Sequence, residues 1–189
     1  MSTLRVGLAL TGSYCTYAEA FTAFETLCEK YDVTAIMSEN ASSADSRFGA
    51  SADFIERLET LTGKKVITTI VAAEPIGPKK LLDIVVIAPC TGNTLAKLTN
   101  GITDTCVTMA AKAHLRNCRP VLLGISTNDG LAGSAKNIGT LLTRKNIYFV
   151  PFYQDDPVGK PTSLATRYDL LDAAIDAACE GRQLQPILA

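Results

Sequence analysis

The sequence lacks tryptophan altogether, contains one histidine, His114, and is only 6% aromatic. It also lacks an excess of either charge, since 18 basic residues stand against 19 acidic ones and the formal net charge is -1. Without a positive field there is nothing to attract a polyanion, so nucleic-acid binding is not expected. No apolar run approaches the roughly 18 residues of a membrane span, and the run over residues 4–10 is too short for a secretion signal. We therefore expect a cytoplasmic protein without a membrane segment.

The motifs of several common sites are missing as well. The cysteines form no CxxC pair and have no histidine at zinc-ligand spacing, which predicts neither a metal site nor a disulfide framework. We expect reduced thiols that pack as small apolar residues at Cys15, Cys28, Cys90, Cys106, Cys118 and Cys179. No GxGxxG or GxxxxGK(S/T) pattern occurs, so NAD or ATP is not the expected resident ligand, whereas a mononucleotide remains open.

What the sequence does contain is an alternation of apolar runs of strand length with segments of helical periodicity. The apolar runs occupy residues 4–10, 32–37, 65–70, 83–88, 120–125 and 147–150. Helical spacing marks residues 17–31, 54–61, 94–100, 103–117, 131–142 and 164–179. This alternation predicts an α/β fold, in which a five- or six-stranded parallel sheet is covered by helices on both faces. At 189 residues, the chain is expected to form a single domain over residues 1–189.

Ligands of such folds gather at the carboxyl ends of the strands, where the loops 11–13, 89–94 and 126–130 are predicted to lie. Gly12 permits close backbone approach, and Ser13 offers a hydroxyl and an amide at a helix start. The pair suits a monoester phosphate, although a simple helix cap is the alternative. Residues 87–97 place hydroxyls and an amide directly after a buried strand, where they could hydrogen-bond a heterocycle. Helix capping would explain one or two of these residues.

The string Pro89-Cys90-Thr91-Gly92-Asn93-Thr94 resembles the Pro-Ala-Ser-Ala-Asn-Thr motif of the flavoprotein family that includes phosphopantothenoylcysteine decarboxylase, lantibiotic-precursor decarboxylases and flavin prenyltransferases. That family has a Rossmann-like three-layer fold, binds flavin mononucleotide (FMN) between subunits and assembles as trimers or dodecamers. The resemblance implies FMN as the cofactor. The flavin-binding residues that it implies are Gly12, Ser13, Ser38, Thr91, Gly92, Asn93, Thr94, Ser126, Thr127 and Asn128.

The branch of the family is indicated by other segments. Residues 126–128 lie where the decarboxylases carry Pro-Ala-Met-Asn, but only Asn128 matches, and His114 is not in the early loop that holds their catalytic histidine. The basic residue of the prenyltransferases is replaced by Ser126. Several segments resemble a third branch, the small flavoprotein subunits of dipicolinate synthases. They are residues 13–17, 110–113, 116–117, 119–120, 124–129, 151–152, 154–157, 160–161 and 183–188. Residues 151–189 would then be a branch-specific C-terminal segment with the last helix.

This third branch implies an oxidoreductase subunit that acts during sporulation. Together with a separately encoded A subunit, it would oxidise a dihydropyridine dicarboxylate to pyridine-2,6-dicarboxylate. NADP would be bound only by that A subunit. The catalytic residues are unknown. Arg47, in the polar segment 39–52 that we predict to be a loop over the active face, is the first candidate for a substrate carboxylate. The weaker candidates are Lys79, Lys80, Lys97, Arg116 and Lys160.

Two other functions remain open from the sequence, an FMN-dependent decarboxylase or prenyltransferase and a flavin-binding module without catalysis of its own. Residues 151–160 could dock a partner, line the flavin pocket or merely turn the chain. Phe48, Phe152 and Tyr153 fall outside any core stripe, and exposed aromatics often mark interfaces, which favours a homotrimer or dodecamer. The alternative is that these rings fold back on their own domain. His114 is interpreted as a helix-face residue with no acidic neighbour.

Overall fold

A computed structural model describes residues 3–189. Its centre is a five-stranded parallel sheet with the order β2-β1-β3-β4-β5. The strands are β1 (Arg5–Leu10), β2 (Asp32–Met37), β3 (Ile84–Cys90), β4 (Val121–Ile125) and β5 (Ile147–Phe149). Every residue of β3 and β4 is buried, as strands covered on both faces require. The predicted α/β sandwich is confirmed, with the smaller of the two expected strand numbers.

Helices cover both faces of the sheet and bury two separate cores. They are α1 (Tyr17–Lys30), α2 (Glu39–Ser43), α3 (Ser51–Thr62), α4 (Ile70–Ala73), α5 (Gly92–Asn100), α6 (Cys106–Leu115), α7 (Ala135–Leu142) and α8 (Leu171–Cys179). One core contains residues of α1, α3 and α8, and the other contains residues of α5, α6 and α7. Neighbouring residues of β1 alternate between them, since Leu8 joins the first core and Ala9 the second. Among the helices of residues 3–189, none combines the length and apolar character of a membrane-spanning segment.

Two predicted elements before β3 are wrong. Residues 65–70 do not form a strand of the sheet, because only Ile67 bridges the outer edge of β2 and Thr69 then caps α4. The Ile67 amide donates to Ala35 and the Met37 amide donates to Ile67, both at 2.9 Å. The polar segment 39–52 is not a continuous loop either, since α2 occupies its beginning and α3 starts at Ser51.

The C-terminal segment differs most from its prediction. Residues 164–179 are not one helix, because Leu164 bridges to Thr127 and a short strand, β7 (Ala165–Thr166), pairs with β6 (Phe152–Tyr153). The hydroxyl of Thr166 donates to the carbonyl of Ile125 at 2.7 Å, which fixes this hairpin over the carboxyl end of β4. Phe152 is buried and packs against Phe149, so this ring does fold back on its own domain.

Burial corrects two further expectations about side chains, one for the helix after β4 and one for the cysteines. Leu131 and Leu142 do not belong to a buried stripe, since α7 starts at Ala135 and buries Ile138 and Leu141 instead. All six cysteines are free thiols, but only Cys90 and Cys106 are buried. Cys28 is half-buried, and the exposed ones are Cys15, Cys118 and Cys179. The prediction of small buried residues therefore fails for those three thiols.

Candidate functional site

The three loops at the carboxyl edge of the sheet are joined by hydrogen bonds. The hydroxyl of Thr11 donates to the carbonyl of Pro89 at 2.8 Å and accepts from the amide of Thr91 at 3.0 Å. The hydroxyl of Ser13 donates to the carbonyl of Ser126 at 2.7 Å. The loop after β1 is thereby fixed to the loops after β3 and β4, so the segments that the sequence singled out form one surface.

Three adjoining pockets open on this surface. The β1–β3 pocket, of about 230 Å³, is lined by Thr11, Gly12, Ser38, Glu39, Asn40, Thr91, Asn93, Thr94, Lys97 and Thr105. The Arg47 pocket, of about 300 Å³, lies between the loops after β1 and β4, Arg47 and the C-terminal segment. The α5–α7 pocket, of about 470 Å³, contains Gly92, Asn93 and Thr127. Gly12 links the first pocket to the second, Asn93 links the first to the third, and every predicted flavin-binding residue lines at least one of them.

The start of α5 presents polar groups that the protein itself does not use. The amides of Gly92 and Asn93 have no acceptor within residues 3–189, because the hydrogen bonds of the first turn begin at Thr94 and Leu95. The side chain of Asn93 is exposed and also has no partner in that range. A Cβ built on Gly12 meets only Tyr14, at 3.8 Å, so nothing in the fold requires glycine there. These free donors and this open space fit an anionic, hydrogen-bonding ligand.

Other predicted residues have structural roles in the chain itself. The hydroxyl of Thr91 accepts from the amide of Thr94 at 3.2 Å, and that of Ser38 accepts from the amide of Ala41 at 3.4 Å. The hydrogen bonds thus show that Thr91 caps α5, which is the alternative interpretation of this residue. A hydroxyl has one donor and two acceptor sites, so capping leaves capacity for a ligand.

Gly92 lies against a cluster of side-chain oxygens. A Cβ on Gly92 would be 2.6 Å from the hydroxyl of Ser134, 2.8 Å from that of Thr127 and 2.9 Å from the carboxylate of Asp129. The hydroxyls of Thr127 and Ser134 donate to Asp129 at 2.5 Å and 2.9 Å, and the bond from Thr127 contributes most to a lowered pKa of Asp129. The glycine and Thr127 are therefore explained by packing between α5 and the loop after β4.

The structure adds Glu39 to the site, which sequence reasoning missed although it directly follows Ser38. Its carboxylate accepts from the amide of Cys106, the first residue of α6, at 3.1 Å. The other carboxylate oxygen is buried without a partner in the described residues. Burial, and then the charge of Glu39, raise the pKa of Cys106 to about 12, and its thiol donates to the carbonyl of Met37 at 2.8 Å. Cys106 is thus an inert thiol beneath the β1–β3 pocket.

A larger cavity, of about 550 Å³, lies between α1 and residues 153–172 and contains none of the predicted site residues. Its charged lining consists of Glu19, Asp169 and Asp172 together with Arg167, and Arg167 is paired with Asp169 at 2.6 Å. An excess of carboxylates disfavours a phosphate or a dicarboxylate there. The expected anionic ligands therefore match the carboxyl edge of the sheet better than this cavity.

Comparison with known proteins places the chain in a family. A family model described as Flavoprotein matches residues 1–157. The chain is 50% identical over 185 residues to the B subunit of dipicolinate synthase from Bacillus subtilis strain 168, covering 97% of this chain and 92% of that protein. The crystal structure of the corresponding B subunit from Bacillus halodurans has a TM-score of 0.90 and 45% identity, covering 100% of this chain and 98% of that one.

A more distant structure shares the fold alone. Burkholderia xenovorans DmrB in complex with FMN has a TM-score of 0.69 and 19% identity, with 92% of this chain and 94% of that chain covered. The resemblance drawn from the motif after β3 and from the C-terminal segments is confirmed by the two dipicolinate synthase relatives. The chain belongs to the flavoprotein family, in the branch that contains the B subunits of dipicolinate synthases.

Proposed function

We propose that this chain is the FMN-binding subunit of a dipicolinate synthase that acts during sporulation. The observation that carries the proposal is the row of pockets at the carboxyl edge of the sheet, in a chain 50% identical to the B subunit of a dipicolinate synthase. The β1–β3 and Arg47 pockets, of about 230 and 300 Å³, are individually small for a cofactor, since ligand pockets usually span about 300–1,000 Å³. Because Gly12 lines both pockets, FMN bound in the first would extend over Gly12 and Ser13 to the near end of the second, and the end with Arg47 would remain for the substrate.

The residues present fit FMN in charge and hydrogen bonding. Gly12 and Ser13 would receive the phosphate, with Ser38 beside them. Ser13 would do so by exchanging its present hydrogen bonds, which run from its amide to the carbonyl of Thr11 at 2.8 Å and from its hydroxyl to the carbonyl of Ser126 at 2.7 Å. Thr91, Gly92, Asn93 and Thr94 would meet the ring system through the free amides at the start of α5 and the free side chain of Asn93. Residues 126–128 would close the opposite side. When bound, the flavin supplies an acceptor for the two electrons that a dihydropyridine loses as its ring becomes aromatic.

The proposed substrate is a dihydropyridine dicarboxylate, and the product is pyridine-2,6-dicarboxylate. Arg47 suits one carboxylate because its exposed guanidinium lies over the Phe48 ring, at 4.8 Å from the centroid, and lines the same pocket as Ser13. The partner is the A subunit, which would carry the nicotinamide-binding domain and NADP. That both relatives are named as B subunits supports a partner of this kind.

Assembly into a homotrimer or dodecamer is part of the proposal. Phe48 is 45% exposed next to Arg47, so an apolar ring stands at the mouth of the proposed site. DmrB, a protein of similar fold, is described as a cubic protein cage for redox transfer. Light scattering measures the particle mass directly. We expect a trimer or a multiple of it, and a 20.1 kDa particle that binds FMN tightly would contradict a shared site.

FMN binding is tested by calorimetric titration of the purified protein. Replacing Asn93 with leucine leaves a flavin polar group unpaired, so we expect the FMN affinity to fall by about tenfold or more, equivalent to roughly 1–3 kcal/mol. Cys90→Ala is the control, because this thiol is buried at the end of β3 and lines none of the three pockets. No binding of oxidised or reduced FMN by the wild-type protein would refute the cofactor, and unchanged affinity in Asn93→Leu would place the flavin elsewhere.

Activity is tested by mixing the chain with the A subunit and following the absorbance of pyridine-2,6-dicarboxylate. We expect turnover of the dihydropyridine substrate only when both proteins are present. Asn93→Leu should slow this turnover in proportion to its lost FMN occupancy. If the A subunit alone formed the product at the same rate as the mixture, this chain would be a flavin-binding module without catalysis of its own.

A further inference from the structure

The Arg47 pocket has a balance of charges that the proposed flavin contacts do not use. Its polar and apolar lining comes from the loops after β1 and β4, the segment with Arg47 and Phe48, and residues 155–165 of the C-terminal segment. The charged lining residues are the cations Arg47 and Lys160 and the single carboxylate of Asp155. A pocket with two cations and one acid retains positive charge for an anionic ligand.

Lys160 lies at the rim of this pocket, on a loop that is fixed by hydrogen bonds. The hydroxyl of Thr162 donates to the carbonyl of Asn128 at 2.6 Å, and the amide of Lys160 donates to the carbonyl of Asp156 at 2.8 Å. The Lys160 ammonium pairs with Asp155 at 3.2 Å, and this carboxylate holds the pKa of Lys160 above its usual value. The side chain is 54% exposed, so its ammonium remains in reach of a ligand.

Arg47 differs from Lys160 in having no acidic partner. The ion pair among the lining residues joins Lys160 to Asp155, and no carboxylate in the described chain pairs with Arg47. Its segment is fixed, since Asp45 accepts from the amide and the hydroxyl of Ser51 at 2.9 and 3.1 Å. The two cations therefore stand on separate, anchored segments of one pocket.

We propose that this pocket is the substrate site and that Lys160 is its specificity residue. The inference rests on the proposed function and deepens it. Arg47 receives one carboxylate through its planar fork, and Lys160 receives the second carboxylate, across a six-membered ring. An ammonium has three donors, so Lys160 keeps Asp155 as a partner while it binds the substrate. Lys160 thus selects dicarboxylates over monocarboxylates, and Arg47 is required for both.

The test is calorimetric titration of the FMN-loaded protein with pyridine-2,6-dicarboxylate and with pyridine-2-carboxylate, in buffer without divalent cations. We expect the wild-type protein to bind the dicarboxylate about tenfold more tightly. Lys160→Met should lower the dicarboxylate affinity to the monocarboxylate level and leave monocarboxylate and FMN affinities unchanged. Arg47→Met should weaken both pyridine ligands. Lys145→Met, at an exposed lysine outside the pocket, is the matched control and should retain the discrimination.

The outcomes separate this inference from the proposed function. Equal affinities of the wild-type protein for the two pyridine ligands, or discrimination retained in Lys160→Met, would overturn the role of Lys160 while FMN binding stands. A wild-type protein that binds neither FMN nor the dicarboxylate would overturn both. Benzene-1,3-dicarboxylate, which keeps the carboxylate spacing without a chelating nitrogen, should follow the dicarboxylate pattern in every variant.

Discussion

His114 makes the stability of this protein dependent on pH in a predictable direction. It is 1% exposed on the inner face of α6, and its Nε2 atom has no hydrogen-bond partner in residues 3–189. Burial lowers the pKa of His114 to about 4, with the positive charge of Arg119 acting the same way and Asp83 opposing it. The sequence expectation that no acid adjoins this histidine is wrong, because Asp83 precedes β3 and reaches it only through the fold.

The sign follows from comparing the folded and unfolded chains. An unfolded histidine has a pKa near 6.5, so between about pH 6.5 and pH 4 the unfolded chain binds a proton that the folded chain excludes. The free energy of unfolding contributed by this neutral imidazole is complete above pH 6.5 and is lost as the pH falls towards 4. Between pH 7 and pH 5 the loss amounts to about 2 kcal/mol.

Urea unfolding of the wild-type protein and of His114→Leu, at one fixed protein concentration, isolates this effect from the titration of carboxylates. We expect the wild-type protein to lose about 2 kcal/mol more than the variant between pH 7 and pH 5. Because the chain has one histidine, its imidazole signals in an NMR titration need no assignment. Parallel pH profiles of the two proteins, or an NMR pKa near 6.5 in the folded state, would refute the reasoning.

Four substitutions at three residues of the sheet edge test the remaining geometry. Thr11→Val removes the hydroxyl that bonds to both the Pro89 carbonyl and the Thr91 amide, so we expect unfolding to become easier by about 1–3 kcal/mol and Thr11→Ser to restore most of the loss. Gly92→Ala should destabilise the protein by about 1–3 kcal/mol in chemical denaturation, even without FMN, because its Cβ meets three oxygens within 2.9 Å. Gly12→Ala should leave the free energy of unfolding unchanged but lower the affinity for FMN. If Gly12→Ala and Gly92→Ala were equally stable, the different packing of the two glycines would be contradicted.

The sheet can be predicted from the sequence because its strands are apolar runs without competing local signals. The apolar run over residues 32–37 predicts a strand, and β2 has the same bounds. Residues 65–70 have a similar composition, yet the hydroxyl of Thr69 accepts from the amide of Ala72 at 3.2 Å and turns the chain into α4 after one bridge. The helix cap at Thr69 outweighs the strand pattern there. A run of six residues does not show how many of them will pair with a neighbouring strand.

The C-terminal segment escapes prediction for a different reason. Leu164, Tyr168 and Leu171 have helical spacing and are all buried, but only the last of them belongs to α8. Leu164 is buried because its backbone pairs with Thr127 at 2.9 and 3.1 Å, a contact between distant parts of the sequence that periodicity does not register. The same kind of distant pairing brings Lys160 to the Arg47 pocket, so its position there follows from the hairpin and not from its own neighbours.

The sequence predicts that both Gly12 and Gly92 contact the flavin, and the structure distinguishes the two residues. The motif resemblance implies that each contacts the flavin. A Cβ at residue 92 would lie within 2.9 Å of side-chain oxygens of Ser134, Thr127 and Asp129, which would have to shift, whereas the nearest atom to a Cβ at residue 12 is 3.8 Å away. A small residue that its own fold explains says little about a ligand. The residue that the fold leaves unexplained, at the junction of two pockets, is therefore the stronger argument that something else occupies the edge of this sheet.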